Sequence, residues 1–238
     1  MVLVHGAWHG AWAWDRVIPF LRTAGVECVA LDLPGHGEDR GPFGDLHADA
    51  ARVGETLDSL TADVVLVGHS YGGAVISEAG LHPAVGHLVY LTAFVLDVGE
   101  SCLSIATSDG AGHMGAEGRP TLGAGSTVGA DNTITLNPVN AAECLYNSCD
   151  PATVAWAVAR LGPQPLATVS GTPTGGAWRD KQSTYVVCRD DMSIHPDLQR
   201  RMSQRCGSVL EWPTDHSPLL CHPELVAVLL AELARRSS

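Results

Sequence analysis

Residues 64–80, VVLVGHSYGGAVISEAG, decide the fold. An apolar run that is rich in valine, Val64 to Val67, ends before Gly68, and a helical pattern begins at Ala74. A strand that passes through a glycine turn directly into a helix is typical of the G-x-S-x-G nucleophile turn, here Gly68 to Gly72. The turn is so sharp that side chains two residues either side of the serine, at Gly68 and Gly72, would collide with the strand and the helix. The pattern therefore predicts Ser70 as a nucleophile. The alternative is an ordinary glycine-rich turn in which the serine only caps the helix.

Working outward, short apolar runs alternate with helical patterns along the chain. The predicted strands are residues 2–4, 27–31, 64–67, 87–91, 184–188 and 209–212, and the predicted helices are residues 14–23, 48–60, 74–81, 196–202 and 223–235. The strands are continuously apolar, as expected for parallel strands covered on both faces. The alternating order predicts an α/β fold with a mainly parallel, doubly wound sheet.

One stretch interrupts this alternation. Residues 97–182 contain a glycine-rich part, 110–132, and two helical patterns at 139–146 and 151–160. Because a structureless loop of this length is improbable in a compact domain, the stretch is predicted to be an inserted cap, or lid. The predicted division is a core in two parts, residues 1–96 and 183–238, with the cap 97–182 between them.

The nucleophile needs a base, and in a fold of this type the chain order is serine, acid, histidine. His216 lies between the last strand and the last helix, so it is the predicted base; His222 competes but directly precedes Pro223 at a helix start. The acid should follow the preceding strand. Asp190 and Asp191 stand there side by side, and their spacing alone does not choose between them.

An oxyanion requires two preorganised N–H donors. One is predicted to be the amide of Tyr71, which follows the nucleophile. The second should come from the loop after the first strand, HGAWHGAW, where Gly6 permits close approach and leaves the amide of Ala7, with that of Trp8 as a possible helper. Four aromatic side chains are candidates to line the pocket, although each is also a plausible core residue: Trp8, Phe94, Trp156 and Trp178.

Composition excludes several function classes. The formal net charge of −12 argues against nucleic acid or an anionic membrane as partners, because both require a cationic face. No apolar run reaches the roughly 18 residues of a membrane span, and no basic leader precedes the first strand. The seven cysteines form no C-x-x-C pair, so no metal or cofactor is predicted. Reduced thiols and a cytoplasmic location are the expectation.

Four motifs together resemble a known group: VLVHGAWHGAWAW, VALDLPGHGED, VGHSYGGAVI and DDMSIHPDLQRRM. They are similar to the branch of α/β hydrolases that contains EstC-like bacterial carboxylesterases, plant methyl esterases and plant hydroxynitrile lyases. The resemblance implies the α/β-hydrolase fold with a six-stranded core, a lid and no cofactor. It also implies that the catalytic acid is Asp191, which lies three residues before Ile194 and five before Pro196.

The lyases of this branch carry a threonine and a lysine at two positions where this chain has Gly6 and Ser217. Lyase activity is therefore disfavoured, because no lysine is placed to stabilise a leaving cyanide. The predicted function is a serine carboxylesterase acting on a small to medium ester, with no nucleic-acid or membrane partner and with a homodimer possible. The alternatives are a hydroxynitrile lyase, a thioesterase, or a ligand-binding protein without catalysis.

Overall fold

The computed structural model describes residues 1–60, 63–107 and 122–236. Within these ranges the strands are β1 (Val2–Val4), β2 (Val29–Leu31), β3 (Val64–His69), β4 (Val85–Leu91), β5 (Ser126–Val128), β6 (Thr133–Leu136), β7 (Gln164–Pro165), β8 (Gln182–Cys188) and β9 (Ser208–Trp212). The helices are α1 (Ile18–Thr23), α2 (Leu46–Asp58), α3 (Gly72–Ala79), α4 (Cys102–Thr107), α5 (Pro138–Leu145), α6 (Pro151–Val158), α7 (Leu166–Ser170), α8 (Pro196–Ser203), α9 (Pro218–Cys221) and α10 (Pro223–Arg236).

The main sheet has six strands in the order β2-β1-β3-β4-β8-β9, and every neighbouring pair is parallel. All six strands predicted from the sequence are in it, so the predicted fold class is confirmed. In such a sheet the carboxyl ends of the strands meet at one edge, and the loops that leave them converge there. Those loops carry the predicted nucleophile, acid and histidine.

Alternate residues of the strands enter two separate cores. Leu66 and Tyr90 pack with α2, α3 and α8 on one face, whereas Val67 and Val89 pack with α1 and α10 on the other. This two-sided burial explains why the strand sequences are continuously apolar instead of alternating. The doubly wound arrangement holds the loops at the carboxyl edge on a rigid support.

The predicted helix 14–23 is divided in the structure. Residues Ala11–Trp14 form a 3-10 turn, and α1 begins only at Ile18. Pro19 lies in the first turn of α1, where its missing N–H needs no partner, and proline at that position favours a helix start instead of a helix interior. The other four core helices lie within two residues of their predicted bounds.

Between β4 and β8 the chain forms a second, smaller layer. Strands β5, β6 and β7 make an antiparallel sheet, joined by helices α4 to α7. Two of these helices, α5 and α6, match predicted helical patterns. The family resemblance implies short strands in the lid, but the residues themselves did not predict where β5, β6 and β7 lie. Residues 110–121 of the glycine-rich part lie outside the described residues. In the described ranges, no helix combines the length and the apolar character that crossing a bilayer requires.

Candidate active site

Ser70 lies at the turn between β3 and α3 with a φ of +53°. This left-handed conformation is strained for a residue with a side chain, and such strain is characteristic of a nucleophile turn. A Cβ atom at Gly72 would lie 2.7 Å from the carbonyl oxygen of His5, so only glycine fits where the start of α3 meets the first loop. The turn therefore lifts Ser70 above the carboxyl edge of the sheet, as the sequence predicts.

His216 and Asp191 form a buried pair. His216 Nδ1 donates a hydrogen bond to Asp191 Oδ2 at 2.7 Å, and both side chains have at most 1% of their surface exposed. Asp190 and His222, the two alternatives in the sequence, are both exposed. A carboxylate on Nδ1 fixes the imidazole tautomer that leaves the lone pair on Nε2 for accepting a proton. The geometry thus pairs His216 with Asp191.

The carboxylate of Asp191 is held on both oxygens. The amides of Ser193 and Ile194 donate to Oδ1 at 2.6 and 2.9 Å. Thr92 Oγ1 donates to Oδ2, and Gln199 Nε2 donates to the same atom at 3.0 Å. The sequence analysis missed Thr92 and Gln199. The available signal for Thr92 was its position directly after β4, at the functional edge of the sheet.

His69 connects the nucleophile turn to the histidine loop. Its Nε2 donates to the backbone oxygen of His216 at 2.7 Å, and the two rings lie 5.0 Å apart. Ser70 Oγ itself makes no hydrogen bond to a described residue. Catalytic hydrogen bonds of this kind often become short only when substrate is bound. The structure therefore brings serine, histidine and aspartate to one edge without a formed Ser70–His216 bond.

Two backbone amides beside Ser70 are free to bind an anion. Within the described ranges, neither the N–H of Ala7 nor the N–H of Tyr71 donates a hydrogen bond. The N–H of Trp8 is not free, since it donates to Gln164 Oε1 at 2.9 Å, so Trp8 is wrong as a helper donor. Gly6 brings the first loop close, because a Cβ there would lie only 3.0 Å from the Cβ of Ser70.

The remaining histidines near the site are neutral structural groups. Burial lowers the pKa of His9 to about 4, and burial likewise lowers the pKa of His5 and of His69 well below the usual range. His9 Nε2 lies 2.7 Å from the hydroxyl of Tyr146, which donates to it. The site therefore gains no positive charge from these imidazoles.

A cavity of about 320 Å³ opens onto Ser70. The described residues that line it are mainly apolar: Ala7, Trp8, Ser70, Tyr71, Phe94, Cys102, Leu103, Ala106, Thr107, Leu122, Gly123, Ser126, Ile134, Val169, Ser193 and Ile194. Loops at the carboxyl edge of the main sheet line one side of it and elements of the segment between β4 and β8 line the other, so the cavity lies between the main sheet and that segment. Its lining suits a largely apolar ligand with one reactive polar group.

Of the four predicted pocket aromatics, Trp8 and Phe94 line this cavity, but Trp156 and Trp178 do not. Trp178 donates its indole N–H to the backbone oxygen of Leu96 at 2.9 Å and packs against the core. Trp156 packs edge-on against Trp12, with the ring centroids 5.2 Å apart. Placing these two in the pocket was wrong, because both indoles fill core positions away from the cavity.

A second buried carboxyl group lies behind the nucleophile turn. Tyr71 donates its hydroxyl to Asp49 Oδ2 at 2.6 Å, and Asp49 is completely buried. Asp49 Oδ1 has no hydrogen-bond partner among the described residues. Burial, slightly offset by the bond from Tyr71, raises the pKa of Asp49 to about 7. Asp49 therefore carries its proton at acidic pH, and it anchors a residue whose amide is one of the two free donors.

Comparison with known proteins identifies the family of the chain. A sequence profile described as the alpha/beta hydrolase family matches residues 1–229. The chain is 30% identical to Methylesterase 2 of Arabidopsis thaliana, over 98% of this chain and 95% of that one. It is 29% identical to a carbendazim-hydrolysing esterase of a Nocardioides species, over 98% of both chains.

Solved structures show the same fold. A pyrethroid hydrolase of Sphingobium faniae superposes with a TM-score of 0.85 at 24% sequence identity, covering 98% of this chain and 96% of that one. A polyneuridine aldehyde esterase gives a TM-score of 0.80 at 23% identity, with 98% of both chains covered. These likenesses establish the architecture of the chain.

Proposed function

The chain belongs to the alpha/beta hydrolase family, and from that membership we propose that it is a serine carboxylesterase working through an acyl-enzyme. Several of its curated relatives are esterases, and the chain is an ester hydrolase. The observation that carries the finer proposal is Ser70, which is strained into the left-handed region beside two unpaired amides at the floor of a cavity. No ordinary helix cap needs that combination.

In the proposed first step, Ser70 Oγ attacks the carbonyl carbon of the ester while His216 Nε2 takes the hydroxyl proton. Asp191 stabilises the imidazolium through the bond to Nδ1, which is already formed at 2.7 Å. The negative charge that develops on the carbonyl oxygen is bound by the amides of Ala7 and Tyr71. Removing a single donor of this type typically costs about 3 kcal/mol of transition-state stabilisation.

The tetrahedral intermediate then collapses. His216 gives the proton to the departing alcohol, which leaves Ser70 acylated. Water, deprotonated by the same imidazole, attacks the acyl group through a second intermediate held by the same amides. As this intermediate collapses, His216 gives the proton taken from water to Ser70 Oγ, so that free serine and a carboxylic acid result and the imidazole is neutral again at the end of each half of the reaction.

The cavity indicates what kind of ester fits. Its described walls are formed by aromatic and aliphatic side chains, among them Trp8, Phe94, Leu103 and Ile134, with no charged side chain among them. A volume of about 320 Å³ corresponds to a small or medium molecule. We therefore propose a neutral, largely apolar ester as the substrate, with residues 97–182 serving as the cap over it.

The experiment is hydrolysis of p-nitrophenyl esters by the wild type and by Ser70→Ala. We expect turnover by the wild type and a loss on the order of 10⁴ in kcat for the variant, because the serine supplies the nucleophile. Ser203→Ala is the matched control, since Ser203 is also buried but lies on α8, where its hydroxyl donates to the backbone oxygen of Arg200. If Ser70→Ala retains more than about a tenth of the activity, the nucleophile is another residue.

A further inference from the structure

Three donor groups that the reaction does not use lie together behind the histidine loop. Cys149 lies between α5 and α6, Cys221 ends α9, and Asp215 directly precedes His216. One ligand atom of each, the two Sγ atoms and a carboxylate oxygen, lie within 4.8 Å of one another. Asp215 is completely buried and both cysteines are half-buried. No short motif marks this cluster, because the fold assembles it from separate segments.

Both thiols point at the same carboxylate. Cys221 Sγ donates to Asp215 Oδ1 at 2.9 Å, and Cys149 Sγ donates to Oδ2 at 3.9 Å. The amides of Ser217 and Ser148 also donate to these two oxygens, at 3.0 and 2.9 Å. Among the salt bridges of the described chain, none joins Asp215 to lysine or arginine. The buried carboxylate is thus stabilised by dipoles and by two exchangeable thiol protons.

We propose that Cys149, Cys221 and Asp215 form a binding site for one soft divalent cation of the zinc class. The cation takes the place of the two thiol protons: two S–H bonds break, two metal–thiolate bonds form, and two protons go to solvent. Before binding, the two thiols are neutral and the carboxylate gives the site a charge of −1. After binding, two thiolates, one carboxylate and the doubly charged ion again sum to −1. Binding therefore adds no net charge to this buried place.

The donor set and its spacing suit such an ion. Thiolates select zinc and cadmium over calcium and magnesium, which prefer oxygen ligands. Metal–sulfur bonds of about 2.3 Å and metal–oxygen bonds of about 2.0 Å place the donors within about 4 Å of one another, and the three donors here already lie within 4.8 Å. A tetrahedral ion would keep its fourth position for water.

A cation bound at this site would join two separate parts of the structure. Cys149 belongs to the segment between β4 and β8, whereas Asp215 and Cys221 flank the catalytic histidine loop. Beside Cys149, Asn147 Nδ2 already donates to the backbone oxygen of Asp190 at 3.0 Å. A bound cation would therefore fasten this segment to the loop that carries His216. The inference does not depend on ester hydrolysis, since no donor lines the cavity at Ser70.

The test is a titration of the fully reduced protein with Cd²⁺, followed by the ultraviolet charge-transfer absorption of cadmium bound to thiolate. We expect saturation at one equivalent and a rise in the unfolding temperature, because a ligand that binds only the folded state stabilises it. Mg²⁺ should produce neither change. Cys149→Ser and Cys221→Ser should each weaken binding by at least about tenfold, since losing a direct ligand costs no less than losing one of its supporting contacts.

Cys28→Ser and Cys206→Ser are the matched controls, because these thiols are half-buried to a similar degree but lie outside the cluster. Both should bind Cd²⁺ as the wild type does. A wild type that shows no thiolate absorption at one equivalent overturns the proposal without reference to any variant. Absorption that persists in Cys149→Ser and Cys221→Ser but disappears in a control variant overturns it as well.

Discussion

At the residue scale, the proposed catalysis depends on the hydrogen bonds that hold Asp191 and His216 in place. Both carboxylate oxygens of Asp191 are saturated with donors, two of them backbone amides. Such a carboxylate cannot rotate without breaking several hydrogen bonds, so it fixes the imidazole in one orientation. The same bonds satisfy the hydrogen-bonding capacity of a carboxyl group that is removed from water.

Asp191→Asn and Asp190→Asn make a matched pair, because the two residues are adjacent and only Asp191 is buried against His216. We expect Asp191→Asn to lower kcat by roughly 10⁴, since an amide in place of the carboxylate favours the wrong imidazole tautomer. Asp190→Asn should remain within about threefold of the wild type, as expected for an exposed change. Steady-state kinetics on one chromogenic ester decide between them. The reverse ranking would move the acid to Asp190.

The sequence identifies Ser70 and His216 because each follows a strand at a fixed place in the chain order. The residues alone do not decide whether Asp190 or Asp191 is the catalytic acid. The two are neighbours in one loop, and the backbone conformation determines which side chain points toward His216. Thr92 and Gln199 were not predicted, because a hydrogen bond between segments this far apart in sequence leaves no local pattern. The prediction that Trp156 and Trp178 line the pocket was wrong for a similar reason, because the sequence does not distinguish an indole that packs against the core from one that lines a pocket.

At the scale of elements, α2 supports the nucleophile turn through Asp49 and Tyr71. The bond joins a residue in the first turn of α2 to the residue immediately before α3. Gln164 of β7 has a comparable role at the first loop, where it accepts the N–H of Trp8 and donates to Thr168. Neighbouring elements thereby orient the two short segments that carry the free amides.

Asp49 should make stability depend on pH. Its pKa is raised from 3.8 to about 7 in the folded protein, so the folded state binds more protons than the unfolded state between these values. The contribution of Asp49 to stability is complete below about pH 4 and declines as pH rises to about 7, by up to about 4 kcal/mol. Asp49→Asn cannot ionise and should lack this decline.

The measurement is the free energy of unfolding in urea at pH 5 and pH 8, for the wild type and Asp49→Asn. The variant should gain stability relative to the wild type as pH rises. Asp180→Asn, at an exposed position, should follow the wild type at both pH values. A difference between the wild type and Asp49→Asn that is the same at pH 5 and pH 8 would mean that Asp49 is ionised throughout this range.

Helices and strands could be predicted from the sequence where they carry a clear pattern of apolar residues. The strands of the main sheet and helices α5 and α6 carry clear apolar patterns, and the structure has them near the predicted bounds. Strands β5, β6 and β7 are short and contain serine, threonine, glutamine or proline, so they lack the continuous apolar run that marks the equally short strands β1 and β2. Their pairing follows from contacts with the rest of the segment, which no local signal encodes.

At the scale of the whole molecule, the fold separates stability from chemistry. Two cores on opposite faces of a parallel sheet bury its strands, while the reactive groups lie on loops at the carboxyl edge. This edge faces the segment between β4 and β8, and the cavity lies between them. The sequence predicts a division into core and cap from one interruption of the strand–helix alternation. That residues 97–182 act as a cap over the substrate stays a prediction.

The central claim, an acyl-enzyme on Ser70, is tested most directly by intact-protein mass spectrometry after acid quench during turnover of a p-nitrophenyl ester. The account predicts a wild-type species heavier by one acyl group, located by proteolysis on the peptide that contains Ser70, and no such species in Ser70→Ala. Active hydrolysis without any acylated protein, or an acyl group on a different residue that persists in Ser70→Ala, would contradict the account.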